Sequence, residues 1–184
     1  AKIVSTFHQP RSVLKDLISV PRLRALDLAI GFDEDQMAFI ASLVGGEKIA
    51  SVPHGIDTDF FQPPKARHWV LPSVERPLRI VAVGNWLRDY ATLFRAARIL
   101  ESRSLPFTLE IVGGPQETPW RPDLVTLRRG IDDEALRDVY RDADLLCLPL
   151  ENATANNALL EAMACGLPIV TSAIGGAKEC TTLD

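Results

Sequence analysis

The sequence predicts an α/β protein whose parallel sheets are built from successive β/α units. Apolar runs of four to six residues, rich in Val, Ile and Leu, alternate with stretches of helical periodicity. A proline-rich interval at residues 63–77 has no periodicity and separates two Rossmann-like halves. Because 47% of the 184 residues are hydrophobic, the chain can bury a sizeable core.

Strands are predicted where the apolar runs are bounded by polar residues, glycine or proline, and helices are predicted between them. Two helices have a clear apolar face. One face consists of Tyr90, Leu93, Phe94, Ala97 and Leu100, and the other consists of Leu136, Val139, Tyr140 and Ala143, in a helix that begins at Asp132 or Asp133. The predicted strands cover residues 3–7, 26–30, 49–52, 78–83, 107–112, 124–127, 145–148 and 168–171.

The most informative segment for function lies between Thr154 and Pro168. We predict a short helix here, because Thr154 can act as its N-cap, Gly166 suits the left-handed position after it, and Pro168 prevents its continuation. Asn157 and Glu161 are four residues apart and therefore share one face of that helix. An amide and a carboxylate beside the N–H groups of a helix N-terminus suit a phosphorylated ligand that is rich in hydroxyls.

A second candidate site is the turn that follows the predicted strand at residues 78–83. Gly84 leaves room for a phosphate to approach backbone N–H groups at the start of the next helix, and Arg88 supplies a cation. A cation at the positive end of a helix is otherwise mildly unfavourable, which favours a binding role for Arg88 over that of a solvated side chain. The turn is therefore a predicted anion site.

Residues 155–179 include Ala-Met-Ala-Cys-Gly-Leu-Pro-Ile-Val and a later Gly-Gly-Ala-Lys-Glu, and they resemble the donor-site signature of group-1 glycosyltransferases. These are retaining enzymes of the GT-B fold, of the family 4 type. The signature contains two glutamates separated by seven residues, and Glu161 matches the second, which implies that Glu161 binds the donor ribose. The first glutamate falls at Ala153, and Glu151 is the carboxylate two residues upstream.

Three other parts of the chain resemble the same family. In the turn at the anion site, Arg88 takes the place of a family Lys and Asn85 that of an Arg. Residues 52–63 are similar to the interdomain sequence, with His54 in place of the usual Asn. In it, Gly55 permits a turn with positive φ and Asp57 can cap the next turn. His8 follows a predicted strand, where family members often carry a His that faces the transferred sugar.

The resemblance implies a GT-B fold with two Rossmann-like domains, both expected to be incomplete because both ends of the chain look cut. Residues 1–62 are expected to be the end of the N-terminal, acceptor-side domain, residues 63–77 a linker, and residues 78–184 the truncated C-terminal domain that binds the nucleotide sugar. His8 and Glu151 are the candidate catalytic residues. The expected donor-binding residues are Gly84, Asn85, Arg88, Asn156, Asn157, Ala158, Leu159 and Glu161.

The implied activity is that of a hexosyltransferase, which moves a sugar from a nucleotide sugar to a glycan, lipid or small-molecule acceptor with retention of configuration. Two alternatives stay open. A non-catalytic nucleotide-sugar binding module is suggested by Ala153 and Asn85, which stand where the family carries charge. A GT-B sugar-nucleotide epimerase would instead equilibrate its donor without an acceptor.

Composition argues against several other classes of protein. A net charge of −4 without a long basic run argues against nucleic acid as the main partner. His and Cys are scattered and Asp-x-Asp is absent, so we expect no metal and no cofactor besides the nucleotide-sugar co-substrate. The three cysteines lack metal-type spacing and are expected to be reduced, which predicts a cytoplasmic protein. Any contact with a membrane would be peripheral and made through parts outside this sequence.

Overall fold

The structure is a computed structural model that describes residues 1–66, 70–117 and 121–181. These residues form two compact units. The first contains Ala1–Gly55, Asn152–Asn156 and residues 173–181, and the second contains the described parts of Ile56–Glu151 together with Asn157–Ser172.

The α/β class with parallel sheets, predicted from the alternation of apolar runs and helical periodicity, is confirmed. All strand pairs of the two sheets are parallel in the described residues. The strands are β1 (Val4–Thr6), β2 (Leu28–Gly31), β3 (Ile49–Ser51), β4 (Leu78–Val83), β5 (Phe107–Val112), β6 (Val125–Arg128), β7 (Leu145–Leu148) and β8 (Ile169–Thr171). The α-helices are α1 (Arg11–Leu17), α2 (Val20–Arg24), α3 (Glu34–Val44), α4 (Tyr90–Ser102), α5 (Asp133–Asp142), α6 (Asn157–Ala164) and α7 (Gly175–Thr181).

The first unit is built on a three-stranded sheet with the order β1-β2-β3. Gln36 of α3 has no exposed surface, and its side chain joins the ends of two strands. Its amide nitrogen donates to the carbonyl oxygens of Phe7 and Gln9, both at 2.8 Å, and its Oε1 accepts from the N–H of Phe32 at 2.8 Å. Because a buried amide must be hydrogen-bonded, Gln36 fixes the loops after β1 and β2. The small apolar core consists of Leu14, Leu23, Ala29 and Ile40.

The second unit is built on a five-stranded sheet with the order β6-β5-β4-β7-β8. The chain runs outward from β4 to β6 and then returns to the other side of β4 with β7. The gap between β4 and β7 is therefore the topological switch point, and ligands of open α/β sheets bind beyond the carboxyl ends of the strands at such a point. One core cluster of this unit consists of Ile80, Ala82, Leu93, Phe94, Ala97, Phe107, Leu109, Ile111 and Val125.

Most local signals of the sequence are confirmed. Asp132 caps α5, since its side chain accepts from the N–H of Ala135 at 2.8 Å. Gly166 follows α6 with a φ of +66°. Asp57 caps its turn by accepting from the N–H groups of Asp59 and Phe60, both at 3.0 Å. The described residues of the predicted linker, 63–66 and 70–77, contain no helix or strand, while residues 67–69 lie outside the described part.

One local prediction was wrong, and one conformation that the sequence permits is not used. Thr154 does not cap α6, because the helix begins three residues later, at Asn157. The Thr154 hydroxyl instead donates to the carbonyl oxygen of His8 at 2.7 Å, a long-range bond that the sequence pattern cannot reveal. Gly55 does not have a positive φ, so its turn does not need glycine for that reason. Among the described residues, no helix is long and apolar enough to cross a membrane.

Candidate functional site

The loops that follow β4 and β7 are joined to each other at the switch point of the second unit. The N–H of Asp89 donates to the carbonyl oxygen of Pro149 at 3.0 Å, and the N–H of Glu151 donates to that of Leu87 at 3.0 Å. Ser172, which follows β8, accepts from the N–H of Leu150 at 3.0 Å. These bonds hold three loops together along one edge of the sheet, where the predicted anion site lies.

The turn between β4 and α4 has an unusual backbone that its sequence explains in part. Gly84 has a φ of +103°, which L residues rarely adopt, and Leu87 has a φ of +56° despite its side chain. Asp89 ends the turn as N-cap of α4, accepting from the N–H of Thr92 at 2.9 Å. The turn therefore places Arg88 directly before the first residue of the helix.

Arg88 is half-buried and held by backbone carbonyls. Its Nε donates to the carbonyl oxygen of Val83 and its Nη1 to that of Trp86, both at 2.9 Å. It forms no ion pair with a carboxylate in the described part of the chain, and its Nη2 makes no hydrogen bond there. Burial lowers the pKa of the guanidinium, although Tyr90, Tyr140 and Glu161 act in the opposite direction. An arginine remains protonated under such shifts, so the turn holds a positive charge that has no ion-pair contact among the described residues.

Asn85 and Gly84 shape the space around Arg88. The Oδ1 of Asn85 accepts a hydrogen bond from the N–H of Gly114, which follows β5. The hydroxyl of Tyr90 donates to the carbonyl oxygen of Gly84. A Cβ on Gly84 would lie 2.7 Å from Nη2 of Arg88, so the guanidinium occupies the room that the missing side chain leaves. Asn85 therefore holds the backbone of the loop after β5, and it does not supply the positive charge that family members carry at this position.

Glu161 lies one turn into α6 and is the acidic member of the site. Its Oε2 accepts from the hydroxyl of Tyr140, on α5, at 2.8 Å. Burial raises the pKa of Glu161, the hydrogen bond from Tyr140 lowers it, and the charges of Asp133 and Arg88 act in opposite directions, with a net upward shift. The structure thus brings Arg88 and Glu161 close enough to influence each other's charge, and their donor-binding role stays a prediction.

The start of α6 contains the remaining predicted donor-binding residues. Asn157 is its first residue and is exposed, whereas Ala158 and Leu159 are 6% and 0% exposed. The side chains of Ala158 and Leu159 therefore pack into the core. Asn156 is buried, at 4% exposure, and belongs to the first unit.

In the first unit, three aromatic rings follow the ends of β1, β2 and β3. The ring of Phe32 lies 4.8 Å from that of His8 and 5.2 Å from that of His54, measured between centroids. The His8 side chain is exposed. His54, whose motif the sequence analysis treated as interdomain, therefore joins the candidate catalytic histidine in one cluster.

The two positions linked to the missing first glutamate differ in their environment. Ala153 is 6% exposed, and its carbonyl oxygen accepts from the N–H of Gly176 at 3.0 Å. Glu151 is exposed, and its catalytic role stays a prediction.

Glu179 accepts from the N–H of Glu34, at the start of α3, at 3.1 Å.

Tyr140 is the residue of the site that the sequence analysis missed. Its place on the apolar face of α5 was predicted, and it has no exposed surface. The available signal was its hydroxyl, since a buried tyrosine usually finds a hydrogen-bond partner for its O–H.

Comparison with known proteins relates the chain to sugar-transferring enzymes. Residues 69–182 match the sequence model of the family described as glycosyl transferases group 1. A D-inositol 3-phosphate glycosyltransferase of Rhodococcus erythropolis is 37% identical over 100 residues, which are 46% of this chain and 23% of that protein. A protein of the same name from Kribbella flavida is 27% identical over 184 residues, covering 87% of this chain and 43% of its own length. The chain thus spans less than half of these relatives.

Solved structures support the fold. A sucrose-phosphate synthase from Thermosynechococcus elongatus has a TM-score of 0.74 at 22% identity, with 97% of this chain and 52% of that chain covered. At this level of identity the likeness concerns the fold alone, and it agrees with the predicted GT-B type.

Proposed function

The chain belongs to the group 1 glycosyltransferase family, and on that premise we propose that it binds a nucleotide sugar and contributes the donor side of a sugar transfer. The observation that carries the proposal is the Arg88 guanidinium at the switch point, which forms no ion pair among the described residues and lies within electrostatic reach of the Glu161 carboxylate. A guanidinium binds an anion and a carboxylate binds hydroxyl groups, and a nucleoside diphosphate sugar contains both kinds of group.

Each group has a distinct part in the proposed reaction. Nη2 of Arg88 binds the diphosphate and stabilises the negative charge that develops on it as the sugar leaves. Backbone N–H groups at the start of α6 add fixed dipoles, which need no reorganisation during the step. Glu161 accepts hydrogen bonds from the ribose hydroxyls and so orients the nucleotide. Retention of the anomeric configuration is proposed from the family resemblance.

The chemical class of the donor is supported by one structural neighbour. A TarM variant from S. aureus, 13% identical with a TM-score of 0.72, was solved in complex with Fondaparinux, alpha-GlcNAc-glycerol and UDP. We extend to this chain only the idea that a nucleoside diphosphate can occupy this kind of fold. His8 and Glu151 are proposed as the catalytic residues, and the acceptor is a glycan, a lipid or a small molecule.

Calorimetric titration of the chain with UDP, GDP and ADP tests the anion site. Arg88→Ala is expected to weaken binding by about 1.5 to 3 kcal/mol, the range for a hydrogen bond to a charged group. Arg98→Ala is the matched control, because Arg98 is an exposed arginine of α4, the helix that Arg88 precedes. Equal affinities of wild type and Arg88→Ala, or no binding of any of the three nucleotides, would refute the proposal.

The ribose assignment has its own test. Wild-type protein should bind the preferred nucleotide more tightly than its 2′,3′-dideoxy analogue. Glu161→Gln should reduce that preference, because an amide oxygen accepts more weakly than a carboxylate. A preference that survives unchanged in Glu161→Gln would assign the ribose to other groups.

A non-catalytic binding module is the second candidate, and Ala153 favours it. The position of the first signature glutamate holds a buried alanine in this chain, so that carboxylate is missing there. Release of free or transferred sugar from the bound donor separates the two candidates. Binding without any turnover, in the presence of a panel of acceptors, would favour the module.

A further inference from the structure

Tyr140 is a buried residue whose hydroxyl bonds a carboxylate. Tyr140 is 0% exposed, and its ring packs near that of Phe61, with 6.3 Å between centroids. A phenylalanine would fill almost the same volume without the cost of burying a polar group. The hydroxyl donates to Oε2 of Glu161 at 2.8 Å.

This bond leaves the other carboxylate oxygen available. Oε1 of Glu161 receives no hydrogen bond from the part of the chain that the structure describes. The Tyr140 hydroxyl that donates this bond is held in place, because the ring of Tyr140 is enclosed and α5 packs against α6. One oxygen is therefore held in place while the other is presented to a ligand.

We propose that Tyr140 is a positioning residue for nucleotide recognition, acting through Glu161 to aim Oε1 at the hydroxyls of the donor ribose. The inference rests on the proposed function, since it assumes that Glu161 binds the ribose. Tyr140 itself contacts no substrate. Its contribution is to remove rotational freedom from the carboxylate before the ligand arrives.

The electrostatics of the pair agree with this role. Burial, followed by the nearby charge of Glu161, raises the pKa of Tyr140, so the phenol stays a hydrogen-bond donor throughout the working pH range. The bond in turn lowers the pKa of Glu161, against the dominant effect of burial. The charged and titratable groups around the pair are Arg88 from the turn after β4, Asp133 on α5 and Cys165 beyond α6.

The first test is a double-mutant cycle, with binding of UDP, GDP or ADP, whichever binds the wild type most tightly. Tyr140→Phe should weaken binding about fivefold to twentyfold, less than the loss of a full charged hydrogen bond. In a Glu161→Ala background the same change should have no further effect, because the group through which Tyr140 acts is gone.

The second readout is pH. Without the phenol, the pKa of Glu161 should rise further, so its carboxylate is neutralised at a higher pH. The ratio of the two dissociation constants, Tyr140→Phe over wild type, should therefore grow as the pH falls from about 8 to about 5. A residue that only supported the fold would give a ratio independent of pH.

Val139→Ala is the control for a loss of core packing next to Tyr140. Val139 is 6% exposed on the same helix, so this change should lower the melting temperature and leave nucleotide affinity unchanged. Wild-type affinity in Tyr140→Phe, or an equal loss in the Glu161→Ala background, would overturn the positioning role alone. Wild-type affinity in Glu161→Ala would overturn the ribose assignment and the positioning role with it.

Discussion

The two ends of the five-stranded sheet hold partly buried charges with opposite degrees of compensation. At the amino end, Asp144 precedes β7 and is 7% exposed. Its carboxylate accepts from Nη2 of Arg76 at 3.0 Å and from the backbone N–H of Arg79 at 2.9 Å, and it forms an ion pair with the Arg79 side chain. The buried carboxylate of Asp144 is therefore compensated by two arginines.

At the carboxyl end, Arg88 is anchored by two carbonyl oxygens and lacks a carboxylate partner among the described residues. Glu161 is held by a neutral hydroxyl rather than by a cation. A compensated cluster stabilises the fold, whereas a pre-positioned and uncompensated one has free energy to gain from a ligand. The comparison predicts that stability and binding depend on opposite ends of the sheet.

The largest expected effect is on stability, at the amino end. Asp144→Ala should lower the free energy of unfolding by about 3 kcal/mol, because it removes a buried carboxylate that accepts hydrogen bonds from Arg76 and from the backbone N–H of Arg79. Denaturant titration measures the loss. Nucleotide affinity of the folded variant should stay at the wild-type value, and a large loss of affinity would contradict the separation of the two ends.

The same carboxylate predicts a dependence of stability on pH. Burial raises the pKa of Asp144, but hydrogen bonds and charge from Arg79 and Arg76 outweigh it, and the net shift is downward from 3.8. A carboxylate whose pKa is lower in the folded than in the unfolded protein stabilises the fold at pH values above its unfolded-state pKa. That contribution is lost as the pH falls through the folded-state pKa. The difference in stability between wild type and Asp144→Ala should therefore shrink below about pH 4.

The next effect concerns the turn at the carboxyl end. Gly84→Ala should weaken nucleotide binding by about 2 kcal/mol, since a side chain at this φ is strained and its Cβ displaces the Arg88 guanidinium. Gly45→Ala is a matched control, because Gly45 has a similar φ of +93° and lies in the first unit, after α3. Both variants should lose stability, but only Gly84→Ala should lose affinity.

A smaller effect is expected in the pH dependence of donor binding. The pKa of Glu161 lies above its ordinary value of 4.5, mainly because of burial. The affinity for the donor should be highest at pH values above the raised pKa, and it should fall about threefold to tenfold as the pH drops through that pKa. UDP-glucose is the suitable probe, because its diphosphate has no terminal phosphate that titrates near pH 6. Glu161→Gln should bind with a flat pH profile.

The smallest expected effect is a gain in stability away from the site. Ser104 is exposed and has a φ of +55° in the turn between α4 and β5. Ser104→Gly should raise the free energy of unfolding by about 0.5 to 1 kcal/mol, because glycine adopts this conformation without strain. Nucleotide affinity should not change, and thermal denaturation with binding assays on one preparation would test both statements.

Local signals predicted the elements well. The strands β4, β5 and β7 begin and end at the predicted residues, because each is a largely apolar run bounded by proline, glycine or aspartate. For β2 the prediction began two residues early: Leu26 packs against the small core, while Asp27 accepts from the N–H of Ile3 at 2.7 Å. Boundaries of this kind depend on partners that are distant in sequence.

The residues of the candidate site were predictable where local motifs mark them, and their distant partners were not. Gly84, Arg88 and Glu161 stand in local motifs that a turn and a helix N-terminus explain. Thr154 was assigned to a cap by its position, yet its hydroxyl bonds a residue 146 positions away. Asn85 was matched to a charged family position, while its side chain accepts from the N–H of Gly114. A motif shows which side chains stand near a turn and leaves their partners open.

The sequence by itself determined the alternation of strands and helices, the parallel sheets and the family, because these depend on periodicity, caps and motifs within short windows. Only the tertiary structure decided the order β6-β5-β4-β7-β8, which places the turn after β4 beside the loop after β7. It also decided that Tyr140 holds Glu161, which lies 21 positions further along the chain. Such pairings are set by how helices and strands pack, and packing joins residues whose sequence separation carries no local signal.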